Sequence, residues 1–306
     1  MIIDLHCDTL SRVAESSFGL AQNPFHFDIA RARAAGIKAQ LFALFSHNQD
    51  NNMVLRAILR QIAAYHVQLQ AAAAARSVET ADDLAAALSQ DQLACILHLE
   101  GADALGKDAA LWPLFHRLGV RSLGLTWNYN NAFAGGVLDT EPTALSPVGR
   151  RLLLELERSR SILDLAHVAE KSYYQALERF SGPVMVSHAN AYAVCRHPRN
   201  LNDRQILALA EREGIVGINL VPDFVCATQP DLDRVVDHID HIASLAGIRY
   251  VALGSDFDGA DTLLLGGVED YRELEICLKT RGFSAQECAA VMHDNALAFL
   301  TRALSA

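Results

Sequence analysis

The sequence predicts an α/β protein of the (β/α)8 TIM-barrel class, with residues 1–306 forming one catalytic domain. Strand-like and helical patterns alternate along the chain, and eight such units within 306 residues match the barrel repeat. A doubly wound sheet would more often contain about five or six strands. Several strand-like runs also end in a carboxylate or an imidazole, which is costly beside a buried strand unless it is paired or bound to an ion. Because the carboxyl ends of barrel strands meet at one rim, these side chains predict a single site there.

Eight runs of mostly apolar residues are predicted as strands: 2–6, 38–44, 94–99, 121–126, 161–166, 184–187, 214–220 and 250–254. The stretches between them have helical periodicity or are rich in alanine and leucine, and the clearest are 53–76, 145–158, 203–212 and 231–246. Capping residues mark three helix starts, at Thr80, Asn202 and Ser284. The segments 45–52 and 128–147 follow the second and fourth predicted strands and are rich in Asn and Gly, which makes them candidate lids at the active-site rim.

The composition favours a soluble enzyme over a nucleic-acid-binding or membrane protein. The chain is 51% hydrophobic and has a formal net charge of −10, which disfavours nucleic acid or an anionic membrane as the main partner. No leader pattern precedes the first strand, and no apolar run approaches the roughly 18 residues of a membrane span. Six cysteines are scattered without CxxC spacing, so we expect reduced thiols and a cytoplasmic location. The sequence leaves open whether two copies form a homodimer.

Six residues at the predicted strand ends are of the types that bind divalent metals or transfer protons: His6, Asp8, Glu100, His167, His188 and Asp256. His6 and Asp8 are two residues apart, so on a strand both side chains project from the same face and can share a cation such as Zn²⁺. Glu100 offers two carboxylate oxygens, and each oxygen can hold one ion. The sequence therefore predicts a centre with more than one metal ion.

The ligand-type residues divide into two metal sites that share Glu100. His6 and Asp8 complete one site, and His167 and His188 complete the other. We expect two Zn²⁺ ions per chain, although other divalent metals would also suit these ligands. Two ions about 3.5–4 Å apart would bridge one water and lower its pKa, which gives a hydroxide nucleophile near neutral pH. Asp256 is then free to transfer protons.

Other polar residues near the strand ends have structural interpretations. Asp4 and Asp164 precede the site residues on their strands, and we expect both to accept structural hydrogen bonds. His98 lies on the strand face that carries the site residue two positions further on, which favours a place in the barrel core or beside the site. His238 and His241 are three residues apart on a predicted helix, and this spacing usually indicates a solvated helix face.

Five motifs carry a family resemblance: HxD after the first strand, HLEG after the third, DLAHV, SHANAYAV followed by RHPRN, and GSDFDG. They resemble the membrane dipeptidase family, also called renal dipeptidases or peptidase family M19, in family order from Asp4 to about Leu300. The resemblance implies a (β/α)8 barrel of the amidohydrolase-like group, whose binuclear zinc site hydrolyses dipeptides, including those with a D-residue at the C-terminal position. The chain resembles the bacterial, cytoplasmic branch of that family.

The resemblance also implies roles for individual residues. It gives the same two metal sites with Glu100 as the bridge, and Asp256 matches the family's proton-transfer aspartate. Arg199 in RHPRN matches the arginine that binds the terminal carboxylate of the substrate. A planar guanidinium can bind a carboxylate through two hydrogen bonds, so this role is physically sensible. The expected substrate is therefore a small dipeptide.

The sequence departs from the family pattern after the fourth predicted strand. Mammalian members have a histidine there that is thought to polarise the scissile carbonyl, whereas this chain has Trp127 in LTWNYNN. The indole N–H can only donate a hydrogen bond and cannot act as an acid in the same way. Asn128 or Tyr129 could supply a donor to the substrate instead, so we expect a substrate pocket that differs from the family pattern.

Two alternative functions remain on the sequence alone. One is another binuclear amidohydrolase, acting on a lactone, a phosphotriester or a carboxylate-bearing amide or lactam. Many such enzymes use HxH after the first strand and a carbamylated lysine as the bridge, whereas HxD and Glu100 stand at those places here. The other is a non-catalytic barrel that serves as a scaffold. The presence of all the ligand-type residues and of Asp256 argues against this function. Bound metal, together with turnover that a chelator abolishes, would separate an enzyme from a scaffold.

Overall fold

The computed structural model describes residues 1–305 and contains nine parallel strands: β1 (Ile2–Cys7), β2 (Ile37–Leu44), β3 (Ala75–Ser77), β4 (Leu93–Leu99), β5 (Val120–Gly124), β6 (Ile162–Asp164), β7 (Val184–Val186), β8 (Ile215–Ile218) and β9 (Val251–Leu253). The strand order is β2-β1-β9-β8-β7-β6-β5-β4-β3, and β2 also pairs with β4. That last pairing closes every strand except β3 into an eight-stranded barrel. The predicted TIM-barrel fold is confirmed.

The ninth strand, β3, is a short addition that the sequence pattern did not reveal. It pairs with the first residues of β4, from Ala75 opposite Leu93 to Ser77 opposite Cys95. Its first residues lie within the predicted helix 53–76, but that helix ends at Ala71. A strand of three residues is too short to show a period of two, so it could not be separated from the helical stretch before it.

Thirteen α-helices surround or cap the barrel among the described residues: α1 (Thr9–Ala14), α2 (Ile29–Ala35), α3 (Asn51–Ala71), α4 (Ala81–Ser89), α5 (Trp112–Arg117), α6 (Pro147–Arg158), α7 (Glu170–Arg179), α8 (Asp203–Glu211), α9 (Pro222–Val225), α10 (Leu232–Ala246), α11 (Tyr271–Thr280), α12 (Ala285–Ala289) and α13 (Asn295–Leu304). The three predicted cap residues are confirmed. Thr80, Asn202 and Ser284 each form a capping box with the residue three positions later.

Two apolar clusters hold the barrel together. The larger one fills the space between the strands and the surrounding helices. The smaller one combines barrel residues such as Leu5 and Ile96 with Phe299 and Leu300 of α13. Asn295, at the start of α13, donates two hydrogen bonds of 2.8 Å to backbone carbonyls at the start of β9. Helix α13 therefore closes the N-terminal end of the barrel and leaves the C-terminal end for the site.

Several strands end earlier than predicted because the backbone turns sharply at polar residues. β6 ends at Asp164 rather than at residue 166, and β9 ends at Leu253. His167 and Asp256, which follow these two strands, have φ values of 64° and 66°. Left-handed backbone is uncommon for residues other than glycine and is a form of local strain that clusters at functional sites.

No helix among residues 1–305 is both long enough and apolar enough to cross a membrane.

Candidate metal centre

The structure brings the predicted site residues together at the C-terminal mouth of the barrel. A cavity of about 720 Å³ is lined by Asp8, Glu100, His167, His188, Arg199 and Asp256, among others. His6 lies beneath them and is fully buried. Two groups of three residues have ligand atoms within 4.8 Å of one another: His6 with Asp8 and Glu100, and Glu100 with His167 and His188. These are the two sets expected from the sequence, and Glu100 belongs to both.

Three hydrogen bonds hold His167, one at the ring and two at the backbone carbonyl. Its Nδ1 lies 2.7 Å from Asn128 Oδ1, and the carbonyl can only accept, so His167 Nδ1 carries the proton. The backbone carbonyl of His167 accepts hydrogen bonds from Val137 N (2.8 Å) and Thr126 Oγ1 (3.3 Å). These contacts hold the strained backbone in place, and they leave His167 Nε2 without a proton.

His188 is fixed in the same tautomer by a different chain of hydrogen bonds. Ser187 Oγ donates to Asp164 Oδ2 at 2.5 Å, which uses the only proton of the hydroxyl. The same Oγ lies 2.8 Å from His188 Nδ1 and must therefore accept the Nδ1 proton. His188 Nε2 is then also unprotonated.

The two unprotonated nitrogens face each other. His167 Nε2 and His188 Nε2 are 2.8 Å apart, and Glu100 Oε1 lies 3.0 Å from the first and 3.7 Å from the second. Three lone-pair donors that converge in this way can bind one cation together. Burial and nearby positive charges lower the pKa of both histidines well below the usual value, so these nitrogens do not take up protons near neutral pH. The donor set fits a divalent metal ion.

The other set surrounds one histidine with acids. His6 Nε2 lies 3.1 Å from Asp8 Oδ2, 3.6 Å from Glu100 Oε2 and 3.9 Å from Asp256 Oδ1. Burial alone would lower the pKa of His6, but the carboxylates of Glu100 and Asp8 outweigh burial and raise it to about 10. Asp8 Oδ1 is buried and has no hydrogen-bond partner among residues 1–305. This concentration of negative charge also fits a cation.

Glu100 is placed by the glycine that follows it. Burial and the neighbouring Asp8 raise the pKa of Glu100 well above its usual value. Gly101 has a φ of 83°, and a Cβ atom there would lie 3.2 Å from the backbone nitrogen of Trp127. The glycine of HLEG therefore lets the chain turn away beneath Trp127 while Glu100 points into the centre.

Asp256 lies at the edge of the acidic set. Its Oδ2 accepts a hydrogen bond of 3.0 Å from Asn219 Nδ2, and burial is the main reason that its pKa is raised. A Cβ atom at Gly259 would lie 2.1 Å from Asp256 Oδ1 and 2.4 Å from Asp8 Oδ2, so only glycine fits there. Asp256 also forms a third compact group with His6 and His188, so geometry alone permits it as a ligand.

Arg199 is buried against the imidazole pair. Its Nη2 lies 3.1 Å from His167 Nε2 and donates to the backbone carbonyl of His188 at 3.2 Å. The guanidinium packs over the ring of Phe224 at 5.5 Å, and burial lowers the pKa of Arg199 to about 10. Arg199 Nε is buried and has no hydrogen-bond partner in the part of the chain that the structure describes. A guanidinium with a free donor beside the cavity suits an anionic group of a ligand.

The residues near Trp127 occupy different places. Trp127 lines the main cavity, with its ring 6.1 Å from the ring of His167. Asn128 also lines the cavity, but its Oδ1 holds His167, so its side chain supports the histidine in addition to any contact with a substrate. Tyr129 is 58% exposed and lines a neighbouring pocket rather than the main cavity.

Asp4 and Asp164 are structural acceptors, as predicted. Asp4 accepts hydrogen bonds from the backbone and hydroxyl of Ser255 at 2.9 and 2.6 Å, and Asp164 does the same for Ser187 at 2.9 and 2.5 Å. Each pair joins neighbouring strands directly below the site. His98 is fully buried, with Nε2 3.2 Å from Asp164 Oδ2, which agrees with its predicted place in the core beside the site.

The predicted solvated position of His238 is wrong. The side chain is fully buried: Nδ1 accepts a hydrogen bond from Ala191 N at 3.1 Å, and Nε2 donates to Val225 O at 2.9 Å. It thereby joins the loop after β7, which carries Arg199, to helix α9. His241 is partly exposed and pairs with Asp203 at 2.8 Å. The spacing of two histidines three positions apart on a helix does not show which of them a neighbouring loop covers.

Sequence reasoning also missed Asn219, Ser187 and Gly259. Asn219 contacts Asp256 from 37 positions away in the chain. Ser187 directly precedes His188 in the SH pair, and Gly259 closes GSDFDG, so both lie inside motifs that had been noticed for other residues. The six cysteines are all unpaired, in agreement with the prediction of reduced thiols.

Comparisons with known proteins agree with this geometry. The family model of the membrane dipeptidases (peptidase family M19) matches residues 1–305. A dipeptidase of Aspergillus oryzae and an uncharacterised dipeptidase of Schizosaccharomyces pombe are each 35% identical, over 69% and 68% of this chain and 52% and 53% of their own lengths. The chain thus spans about half the length of these curated relatives.

Two solved structures resemble the whole barrel. Dipeptidase AC, a metallopeptidase of family M19, has a TM-score of 0.91 with 28% identity, covering 100% of this chain and 99% of that one. A metallopeptidase of Rhodobacter sphaeroides, solved with a phosphinate mimic of the dipeptide L-Ala-D-Ala, has a TM-score of 0.91 with 26% identity, covering 99% of both chains. The fold, the motifs and the family match agree, and the chain belongs to the membrane dipeptidase family.

Proposed function

We propose that this protein is a zinc-dependent dipeptidase that holds two ions through His6, Asp8, Glu100, His167 and His188. The observation that carries the proposal is the pair of unprotonated imidazole nitrogens, which face each other at 2.8 Å beside Glu100. Imidazole nitrogens and carboxylate oxygens are the ligands that zinc prefers when no thiolate is available. Other divalent metals of similar preference would fit the same donors.

These residues would hold divalent ions, whose Lewis acidity would serve the attacking water and the scissile carbonyl. The side chains of the chain then position the reactants and move protons. Asp256 Oδ1 faces the acidic set, and its raised pKa suits a group that accepts a proton from the attacking water and delivers it to the leaving amine. Asn219 holds the other oxygen and so orients the carboxylate.

Arg199 would bind the free C-terminal carboxylate of the dipeptide. Its guanidinium lies beside the imidazole pair and lines the main cavity, where its positive charge can meet a carboxylate. The R. sphaeroides relative was solved with a mimic of L-Ala-D-Ala, which supports dipeptides as the substrate class, including those with a D-residue at the C-terminal position. Asn128 and Tyr129 remain candidates for contacts with the substrate, and the cytoplasmic location remains a prediction.

The test is turnover of a panel of L,L- and L,D-dipeptides by zinc-loaded protein. We expect hydrolysis that a chelator abolishes and added zinc restores. Hydrolysis of lactams or lactones in preference to every dipeptide would support the other amidohydrolase function. A protein that binds zinc and hydrolyses none of these substrates would support the scaffold.

The carboxylate-binding role has its own experiment. Arg199→Ala should raise KM, since truncating a buried arginine–carboxylate contact typically costs about 2–5 kcal/mol. Amidation of the C-terminus of the substrate should harm the native enzyme about as much and should harm the Arg199→Ala variant much less. Equal cleavage of the amidated and free dipeptides by the native enzyme would exclude this role for Arg199.

A further inference from the structure

A second pocket opens from the main cavity along Trp127. It has a volume of about 310 Å³, at the lower end of the roughly 300–1,000 Å³ typical of small-molecule sites. Phe45, His47, Glu100 and Trp127 line both spaces, so the two are continuous beside the candidate metal centre. We call this space the side pocket.

The walls of the side pocket are aromatic. The ring of Phe45 lies 4.6 Å from that of His47 and 5.1 Å from that of Trp127, and His47 and Trp127 are also 5.1 Å apart. Val54 and Ile58 of α3 add buried aliphatic surface to the lining. Three mutually packed rings beside aliphatic side chains form a surface that gains free energy by covering another apolar group.

The acidic groups of the side pocket are already engaged. Glu100 belongs to the candidate metal centre. The carboxylate of Asp103 accepts a hydrogen bond of 3.2 Å from Asn131 Nδ2, and burial raises the pKa of Asp103. Ser46, Asn48, Gln49 and Asn130 also line the side pocket, but they carry no charge, so the aromatic wall is the feature that can select an apolar side chain.

The topology indicates which part of a dipeptide would enter. Phe45 and His47 follow β2, whereas Arg199 follows β7, which lies directly across the eight-stranded barrel from β2. Arg199 does not line the side pocket. If the C-terminal carboxylate is bound at Arg199 and the scissile bond lies at the metal centre, the N-terminal residue must lie on the side of Trp127.

We infer that the side pocket binds the side chain of the N-terminal residue and selects dipeptides in which that residue is large and apolar, aromatic residues included. The inference rests on the proposed dipeptidase function. Trp127 stands where the family resemblance predicts a histidine, so this selection is a property of this chain's own residues. Trp127 and Phe45 are the specificity-determining residues.

The experiment compares kcat/KM for Phe-Gly and Ala-Gly with kcat/KM for Gly-Phe and Gly-Ala. We expect the native enzyme to prefer Phe-Gly over Ala-Gly by about tenfold or more, the usual scale for filling an apolar pocket. Trp127→Ala and Phe45→Ala should each reduce that ratio to within about threefold while the Gly-Phe to Gly-Ala ratio stays as in the native enzyme. Phe45→Ala removes part of the aromatic wall without changing the residue beside His167, and zinc content measured in both variants shows whether the metal centre is intact.

Three outcomes would overturn the inference: an N-terminal ratio that survives both substitutions, a change confined to the C-terminal ratio, or a preference for Lys-Gly that Asp103→Asn abolishes. Failure of the proposed function would look different, because the native enzyme would then cleave none of the four peptides. In that case the side pocket is still tested by calorimetric titration of zinc-loaded protein, which compares the affinities for Phe-Gly and Ala-Gly. Tighter binding of Phe-Gly that Trp127→Ala removes supports the side pocket, and equal binding refutes it.

Discussion

The two halves of the candidate metal centre would hold a cation by different means. Around His6, three carboxylates lie within 3.9 Å of one imidazole nitrogen. Around His167 and His188, two imidazoles converge on one oxygen of Glu100, and Arg199 adds a positive charge beside them. The first half supplies negative charge, whereas the second supplies neutral donors close to a guanidinium.

The hydrogen bonds that orient the histidine rings also differ between the two halves, and here the half around His167 and His188 has more of them. His167 Nδ1 and His188 Nδ1 both donate hydrogen bonds that fix ring and tautomer, to Asn128 and Ser187. His6 Nδ1 is buried and finds no partner within residues 1–305. We conclude that the first half attracts an ion mainly through charge, and the second mainly through donors oriented in advance. The two halves should therefore respond differently to the loss of outer hydrogen bonds.

The largest expected effect comes from the residue that the halves share. Glu100→Ala should weaken both ions by well over a hundredfold, more than the 10–100-fold typical of lost outer hydrogen bonds, because it removes a direct ligand from each site. Elemental analysis after dialysis should give near two equivalents of zinc for the native protein and less than one for the variant. Glu170→Ala removes an exposed acid of equal charge and serves as the control. Two tightly bound ions in the Glu100 variant would rule out a shared bridge.

Substitution of Asp256 tests whether the half around His6 contains a group that transfers protons in addition to metal ligands. Asp256→Asn should lower kcat by about 10²–10⁴-fold, the usual scale of general acid–base help, while zinc content stays at two. Because Asp256 also lies within ligand distance of His6 and His188, loss of one zinc would identify it as a ligand instead. Asp240→Asn, which removes an exposed acid of α10 outside the cavity, should be near native. Native turnover in the Asp256 variant would exclude both roles.

The half around His167 and His188 should lose metal affinity when a hydrogen bond that orients one of its histidines is removed. Asn128→Ala removes the acceptor that fixes the tautomer of His167, so the affinity for the second ion should fall about 10–100-fold. The first ion should be retained, which graded chelator titration with elemental analysis can resolve. Asn128→Asp keeps an acceptor oxygen and should restore most of the affinity. Equal weakening of both ions by Asn128→Ala would show that the halves are not independently supported.

Local patterns predicted the fold and placed six candidate site residues at strand ends, because strands and helices each have a short-range periodicity. The roles of those six residues remain predictions. His6 and Asp8 are recognisable since they alternate at the end of an apolar run, and Glu100 closes another such run. Asn128 was noticed as a neighbour of Trp127 rather than as a support of His167, because that contact joins positions 39 residues apart.

The features that escaped prediction depend on tertiary packing. The strand β3 has only three residues and no period to read. His238 was predicted to be exposed because a helix pattern gives the spacing of side chains and not the loop that covers them. The aromatic side pocket joins residues that follow three strands, β2, β4 and β5, so no local pattern shows that they line one space.

The smallest expected effect comes from His238, which contacts the loop that carries Arg199. It joins the Arg199 loop to α9 in the neutral form, because Nδ1 must accept from Ala191 N while Nε2 donates to Val225 O. Burial lowers the pKa of His238 below the usual 6.5, so the folded state resists the proton that the unfolded state accepts. Its stabilising contribution is therefore complete above pH 6.5 and is lost as the pH falls through the lowered pKa.

Loss of both hydrogen bonds in His238→Ala should cost about 1–3 kcal/mol at pH 7.5, and this difference from the native protein should shrink toward pH 5. Urea unfolding of the two metal-free proteins across that range measures it, and a difference that stays constant with pH would show that the neutral imidazole is not what holds the loop.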